Sequence, residues 1–325
     1  MATYALQRLI QSLFVLLAAS IVVFLAVYGI GDPIELLVPP QASAMEREEM
    51  VRRLGLDLPL WRQYLAFAWN AMHGDLGRSF VHGVPAIELI LSRLPATLEL
   101  VTLAMAIALA IGIPLGLVAG LDRDTPLSRI IMGGTVLGYS LPNFWKGMML
   151  ILVFAVLLGW LPSSGRGETA VILGVKSSLF TADGLRHLIL PALNLAIPNM
   201  ALMIRLVAAG ATEAKAQDYV KYARAKGVRP GRIVRRHILR NILIPVVTVA
   251  GIEFGSLVAF STITETVFAW PGMGKLLIDS IYQLDRPLVV AYIMLATFLF
   301  VSVNLLVDLL YAGLDPRVRL MGEAA

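Results

Sequence analysis

The sequence predicts an all-α integral membrane protein with six transmembrane helices and both chain ends on the cytoplasmic side. Three observations lead there. The 325-residue chain is 58% hydrophobic and 15% charged, where soluble domains carry roughly a quarter charged residues. Its mean hydropathy is +0.78. Uncharged runs of about twenty residues, the length a helix needs to cross a hydrocarbon core of about 30 Å, recur along it, and Lys and Arg crowd into alternate connecting segments.

The elements follow in order. Leu9 to Tyr28 is the first span; it is too long for the core of a cleavable signal and no A-x-A-like site follows. The external segment from Gly31 to Pro95 carries a capping box, Ser43 with Glu46, before a short helix stopped at Gly55. A second helix then places Leu60, Trp61, Tyr64, Leu65, Ala68, Trp69 and Met72 on one face, an aromatic stripe suited to a membrane interface. Leu100 to Leu121 is the second span. Ile130 to Leu161, interrupted by Lys146 and carrying Pro142, is read as one long broken span, since two crossings would each be too short. Leu188 to Ile204, Ile242 to Thr264 and Leu288 to Val307 complete the set. The organisation is thus an N-terminal helix (1–30), an external segment (31–95), a five-span core (96–312) with a loop at 205–241, and a tail (313–325).

Orientation follows from basic residues. With the N-terminus inside, the inner segments carry more than twice the density of Lys and Arg of the outer ones. The main contributor is DYVKYARAKGVRPGRIVRRHILRN, Asp218 to Asn241, with eight Lys or Arg and one Asp. As a topology determinant it would anchor to anionic lipid. Its pattern asks for more: a helix-favouring run from Thr212 to Lys226, Gly227 as breaker, then Pro230 opening a short helix to about Arg240. Ile233, His237, Ile238 and Asn241 form a stripe on that second helix, flanked by arginines, as a docking surface would. Nucleic-acid binding does not fit, since a segment tethered at both ends offers neither a folded module nor aromatic platforms.

The chain shows no engine of its own. Gly272-Met273-Gly274-Lys275 fails as a phosphate cradle because Ala269 stands where the first Gly is required and Leu276 where Ser or Thr is required. His73, His82, His187 and His237 have no metal-ligand spacing, and without Cys there is no thiolate site. The reading is therefore not an enzyme, with no cofactor of its own. Charges inside spans are functional candidates. Glu253, between Gly251 and Gly255, lines a translocation path or is satisfied by a neighbouring helix; Lys146 marks the break in the third span or lies on the path. Glu265 and Asp308, at span ends, read as structural.

The basic loop resembles the cytoplasmic loop of membrane subunits of ATP-binding-cassette importers. The family's EAA-x3-G signature aligns with Lys221 to Gly227, Lys221 and Tyr222 replacing its Glu and Ala, and its peptide branch writes DYV-x2-ARAKG followed by H-x-LRN. The resemblance runs on through LGLDLPL (Leu54 to Leu60), GDLGRS (Gly74 to Ser79), LPATLEL (Leu94 to Leu100), IGIPLG (Ile111 to Gly116), SLPNFW (Ser140 to Trp145), LPSSG (Leu161 to Gly165), ETVFAWPGMG (Glu265 to Gly274) and LDPRVR (Leu314 to Arg319). It implies the type I importer permease fold in a bacterial cytoplasmic membrane, surrounded by lipid. The implied partners are a second homologous permease, two ATPase subunits that bind the ATP, an external solute-binding protein and a peptide substrate, but no nucleic acid. It also implies that the helix after Pro230 is the coupling helix, with Ala223, Gly227, Ile233, Arg236, His237 and Asn241 as coupling residues: Gly227 permits the bend, and Ile233 and His237 face the ATPase. The external segment is then a helix on the outer leaflet or a platform for the binding protein. Glutathione and nickel chelates are alternative cargoes within the family. A gradient-driven secondary transporter is the alternative class, but it has no role for the loop; an integral membrane enzyme stands behind it and would need catalytic polar residues clustered at one depth, where the charges here are scattered.

Overall fold

The first apolar run folds as α1 (Ala2–Tyr28) in the computed structural model, which describes residues 2–28, 43–53, 57–172 and 174–314. Leu13 and Phe14 are about two-thirds exposed, as lipid-facing side chains are. The capping box forms at α2 (Ala44–Arg53): Ser43 N–H donates to Glu46 Oε2 at 2.8 Å and Glu46 N–H returns to Ser43 Oγ at 3.3 Å. The Ser43 N–H and hydroxyl, both donating to Glu46 Oε2, hold the Glu46 carboxyl below the usual carboxylate range. The stop assigned to Gly55 lies outside the described residues. In α3 (Leu60–Met72), Tyr64 turns back onto α1, its hydroxyl 2.9 Å from Ser20 Oγ and its ring edge-on to Phe24. Trp61, Leu65 and Trp69 stay exposed.

The core is a pair of long helices, α4 (Ala86–Leu121) and α7 (Ala182–Ala216). Both extend beyond the apolar runs because their polar flanks continue as helix. Gly112, Gly116 and Gly120, four residues apart, form the groove that brings them together. A Cβ on Gly112 would lie 2.9 Å from Met203 Cβ, and one on Gly116 2.7 Å from Val207 Cβ, so only glycine allows this approach.

These contacts also settle the third span. Gly112 meets Met203 and Gly116 meets Val207, so α4 and α7 run parallel. The chain between them must therefore return across the bundle. The helical return comprises α5 (Pro126–Ser140) and α6 (Asn143–Leu157), bent by 107° at Leu141 and Pro142. Counted as one crossing, the pair brings the candidate spans among the described residues to six. The last seven residues of α6, Ile151–Leu157, are wound as π-helix. A feature absent from the all-helical expectation follows: an antiparallel hairpin, β1 (Ala170–Ile172) with β2 (Val175–Ser177).

The basic loop departs from expectation twice. The run from Thr212 to Lys226 is not one helix, for α7 ends at Ala216, Gln217 is extended, and α8 (Asp218–Ala225) stands alone. The helix opened by Pro230 does not stop near Arg240; it continues as α9 (Pro230–Phe260), the fifth span, through a π-helical turn at Val234–Ile238. Proline opens it and nothing in Leu239 to Ile242 breaks it. After α10 (Thr262–Val267) and α11 (Met273–Tyr282), the last span is α12 (Arg286–Leu314). It packs antiparallel on α9, where Gly255 faces Val303 and Gly251 faces Val307. Asp308 pairs with Arg8 at 3.3 Å, which sets the start of α1 and the end of α12 at the same end of the bundle as the basic loop.

Candidate functional site

At the basic end α8 is a two-faced helix. Val220 and Ala223, three apart, are buried against the core, while Tyr219 and Tyr222 are exposed. Its end is a Schellman motif: Gly227 adopts φ +74, its N–H donates to Arg224 O at 2.9 Å, and Val228 N–H reaches back to Ala223 O at 3.1 Å. No atom lies within 4 Å of where a Gly227 Cβ would sit, so glycine is needed here for its backbone and not for space. Asn241 Nδ2 donates to Tyr219 Oη at 2.7 Å and ties α8 to α9. Thr212 Oγ1 donates to Gly120 O at 3.0 Å and Lys215 Nζ to Leu121 O, joining the end of α7 to that of α4.

Of the six residues assigned to coupling, the structure brings Ala223, Gly227 and Asn241 together around α8. Arg236 is exposed and His237 half-buried on α9. Ile233 does not face outward: it is 3% exposed and belongs to the core, as does Ala223 at 6%. The stripe reading fails because Ile233 and Ile238 point into the protein, leaving the arginines outside. Tyr219 and Tyr222 were missed; the spacing of Val220 and Ala223 within DYVKYARA would have marked them as the outer face. The arginines Arg232, Arg235, Arg236 and Arg240 line an open groove of about 660 Å³ with Gly231 and Leu243.

The opposite end is built from buried charge. The Glu265 carboxylate is fully buried and accepts from Thr97 Oγ1 at 2.7 Å, Ser261 Oγ at 2.8 Å and Lys275 N–H at 2.9 Å. Burial pushes its carboxyl up, and these donors pull it back. It thereby caps α11, and the glycines of WPGMG make room: a Gly272 Cβ would strike the carboxylate and a Gly274 Cβ would lie 2.6 Å from Thr262 Cα. The segment that fails as a phosphate cradle is a cradle for this carboxylate. Ala269 takes φ +47 at this turn, Trp270 Nε1 donates to Ala96 O at 2.9 Å, and Met273 N–H donates to Thr97 Oγ1 at 2.8 Å. Beside it Arg166 pairs with Glu99 at 3.0 Å, Ser178 N–H also bonding that carboxylate. Asp285, 1% exposed, accepts from Ser79 Oγ and from Phe80 N–H at 3.0 Å, pinning GDLGRS to the start of α12.

The two path candidates separate. Lys146 is 5% exposed and donates to Gly138 O at 3.2 Å across the α5–α6 break, so it holds the bend. Glu253 is half-buried, two residues from each glycine and so on the side of α9 turned from α12.

Residues 112–320 match the family described as binding-protein-dependent transport system inner membrane component, and residues 1–101 match its N-terminal companion. The chain is 39% identical to an oligopeptide transport system permease of Bacillus subtilis, covering 98% of this chain and 100% of the relative. It is 37% identical to a dipeptide transport system permease of Escherichia coli strain K12, covering 98% and 99%, and 39% identical to that strain's glutathione transport system permease, again covering 98% and 99%. Among solved structures, an inward-facing MetNI methionine ABC transporter shares the fold at TM-score 0.54 and 18% identity, covering 70% of this chain and 97% of that one.

Proposed function

The chain belongs to the family of inner-membrane components of binding-protein-dependent transport systems, and we propose that it is the permease subunit of an ATP-driven importer of di- and oligopeptides. The observation that carries this is α8: a free-standing helix with its inner face locked into the core and two tyrosines facing outward at the basic end. That end is cytoplasmic in this reading, and α8, not the helix after Pro230, is the coupling element. ATPase subunits dock on Tyr219, Tyr222 and Arg224 and bind the ATP; the permease itself holds no cofactor.

Movement of α8 reaches the bundle along named contacts. Asn241 passes it to α9. Buried Val220 and Ala223 pass it to α7, which the glycine groove locks to α4, so the helices move as a unit. A second homologous permease covers the exposed aromatic face of α5 and α6, at Tyr139, Phe144 and Trp145, and the path lies between the two. An external solute-binding protein meets the segment 31–95 and the loops packed on Glu99 and Asp285. Peptide is favoured as cargo by the names of relatives that match the whole chain, with glutathione the alternative.

Affinity purification of the chain from native membranes in mild detergent tests this. Recovery of two ATPase subunits and a second permease is the expected outcome. A chain that comes out alone and moves peptide into liposomes without ATP overturns the reading.

A further inference from the structure

Coupling through α8 leaves the arginine groove unused. Between Asp218 and Glu253 the sequence has no Asp or Glu, and among the described residues none of Arg232, Arg235, Arg236 and Arg240 is paired with a carboxylate. Four guanidinium groups on one groove repel one another and favour a counter-anion bound between them. Arg235, within the π-helical turn at Val234–Ile238, and Arg240, beyond it, line the same groove. The charges lining the groove are all Arg, whereas α8 and the residue that follows it carry Lys221 and Lys226 beside Arg224; a planar fork binds phosphate oxygens in pairs, which an ammonium does not.

Depth selects the occupant. Arg240 is the last charge before the apolar run that starts at Ile242, and Arg236 lies one turn farther out, about 5.4 Å. A headgroup layer adds roughly 5–8 Å on each side of the hydrocarbon core, so both side chains reach lipid phosphate. Leu243, 37% exposed, forms the groove's apolar wall, where an acyl chain would lie. We infer that the groove holds the phosphate of an anionic phospholipid, with the glycerol and chain resting on Leu243. The leaflet, taken as the inner one, is the only part that rests on the proposed orientation.

The test uses the whole transporter complex in nanodiscs of phosphatidylcholine with about 20% phosphatidylglycerol, a membrane of moderate negative surface potential. After transfer to detergent, retained phosphatidylglycerol is counted by native mass spectrometry. The expected result is at least a tenfold loss in the Arg232→Gln/Arg236→Gln/Arg240→Gln variant, with ATPase subunits still bound, and an intermediate loss in the corresponding Lys variant. The Lys variant keeps the charge and serves alone if the Gln variant does not fold. Equal retention by wild type and variant overturns the proposal. So does loss of ATPase subunits with lipid retained, which would assign the groove to protein docking, or displacement of the lipid by inorganic phosphate, which would make it a site for free anion. If the coupling reading failed instead, the chain would lack ATPases in wild type as well, and lipid retention would still be readable.

Discussion

The two ends of the bundle handle charge in opposite ways. At the hairpin end Glu265, Glu99 and Asp285 are buried, and each accepts from hydroxyls, backbone N–H groups or Arg166. At the basic end Arg232, Arg236 and Arg240 are exposed, and the polar bonds present, such as Thr212 to Gly120 O and Asn241 to Tyr219, join one helix end to another. Buried charge survives only when satisfied inside the chain, so the hairpin end is a closed structural device. Exposed charge with no carboxylate beside it is left to meet something outside the chain, which is what the proposed ATPase docking at the basic end requires. The difference lies in bonding, since both ends are rich in glycine and in charge.

Breaking this contrast at its strongest point means changing Glu265. Glu265→Ala leaves Thr97, Ser261 and the start of α11 without their acceptor and should cost about 3 kcal/mol or more. Thermal unfolding in detergent should show it as a large drop; an unchanged midpoint would show that the hairpin end is not held by this carboxylate. Next is Gly227→Pro, since a residue at φ +74 cannot be proline. Transport and substrate-stimulated ATPase activity should vanish while membrane insertion is normal; normal transport would remove the loop from the mechanism.

Tyr222→Ala probes the outer face alone. We expect a roughly tenfold fall in retained ATPase on purification, the scale of one interface anchor, with the unfolding midpoint unmoved. A shift in the midpoint instead would make the tyrosine structural. The smallest effect belongs to Lys221→Ala, whose exposed pair with Asp218 should contribute under about 0.5 kcal/mol. Any larger loss of stability would mean the basic end carries fold energy, contrary to the contrast.

Much of this was legible in the chain itself. Apolar run lengths gave the six crossings, Pro142 the break in the third, Ser43 and Glu46 the cap, and Gly227 the turn, because each depends on neighbours within a few residues. The family resemblance singled out the basic loop, yet within it the burial of Ile233 and the separation of α8 could not be read: Gln217 carries no breaker signal, and a stripe does not say which side meets the core.

Sequence by itself determined where helices cross, since hydropathy and backbone hydrogen bonding in lipid leave little choice. Tertiary structure alone decided which charges are spent inside the protein and which face outward. Glu265 meets Thr97 across 168 residues and Asp285 meets Ser79 across 206. Partners so distant in sequence leave no local pattern, and only the packed bundle brings them together.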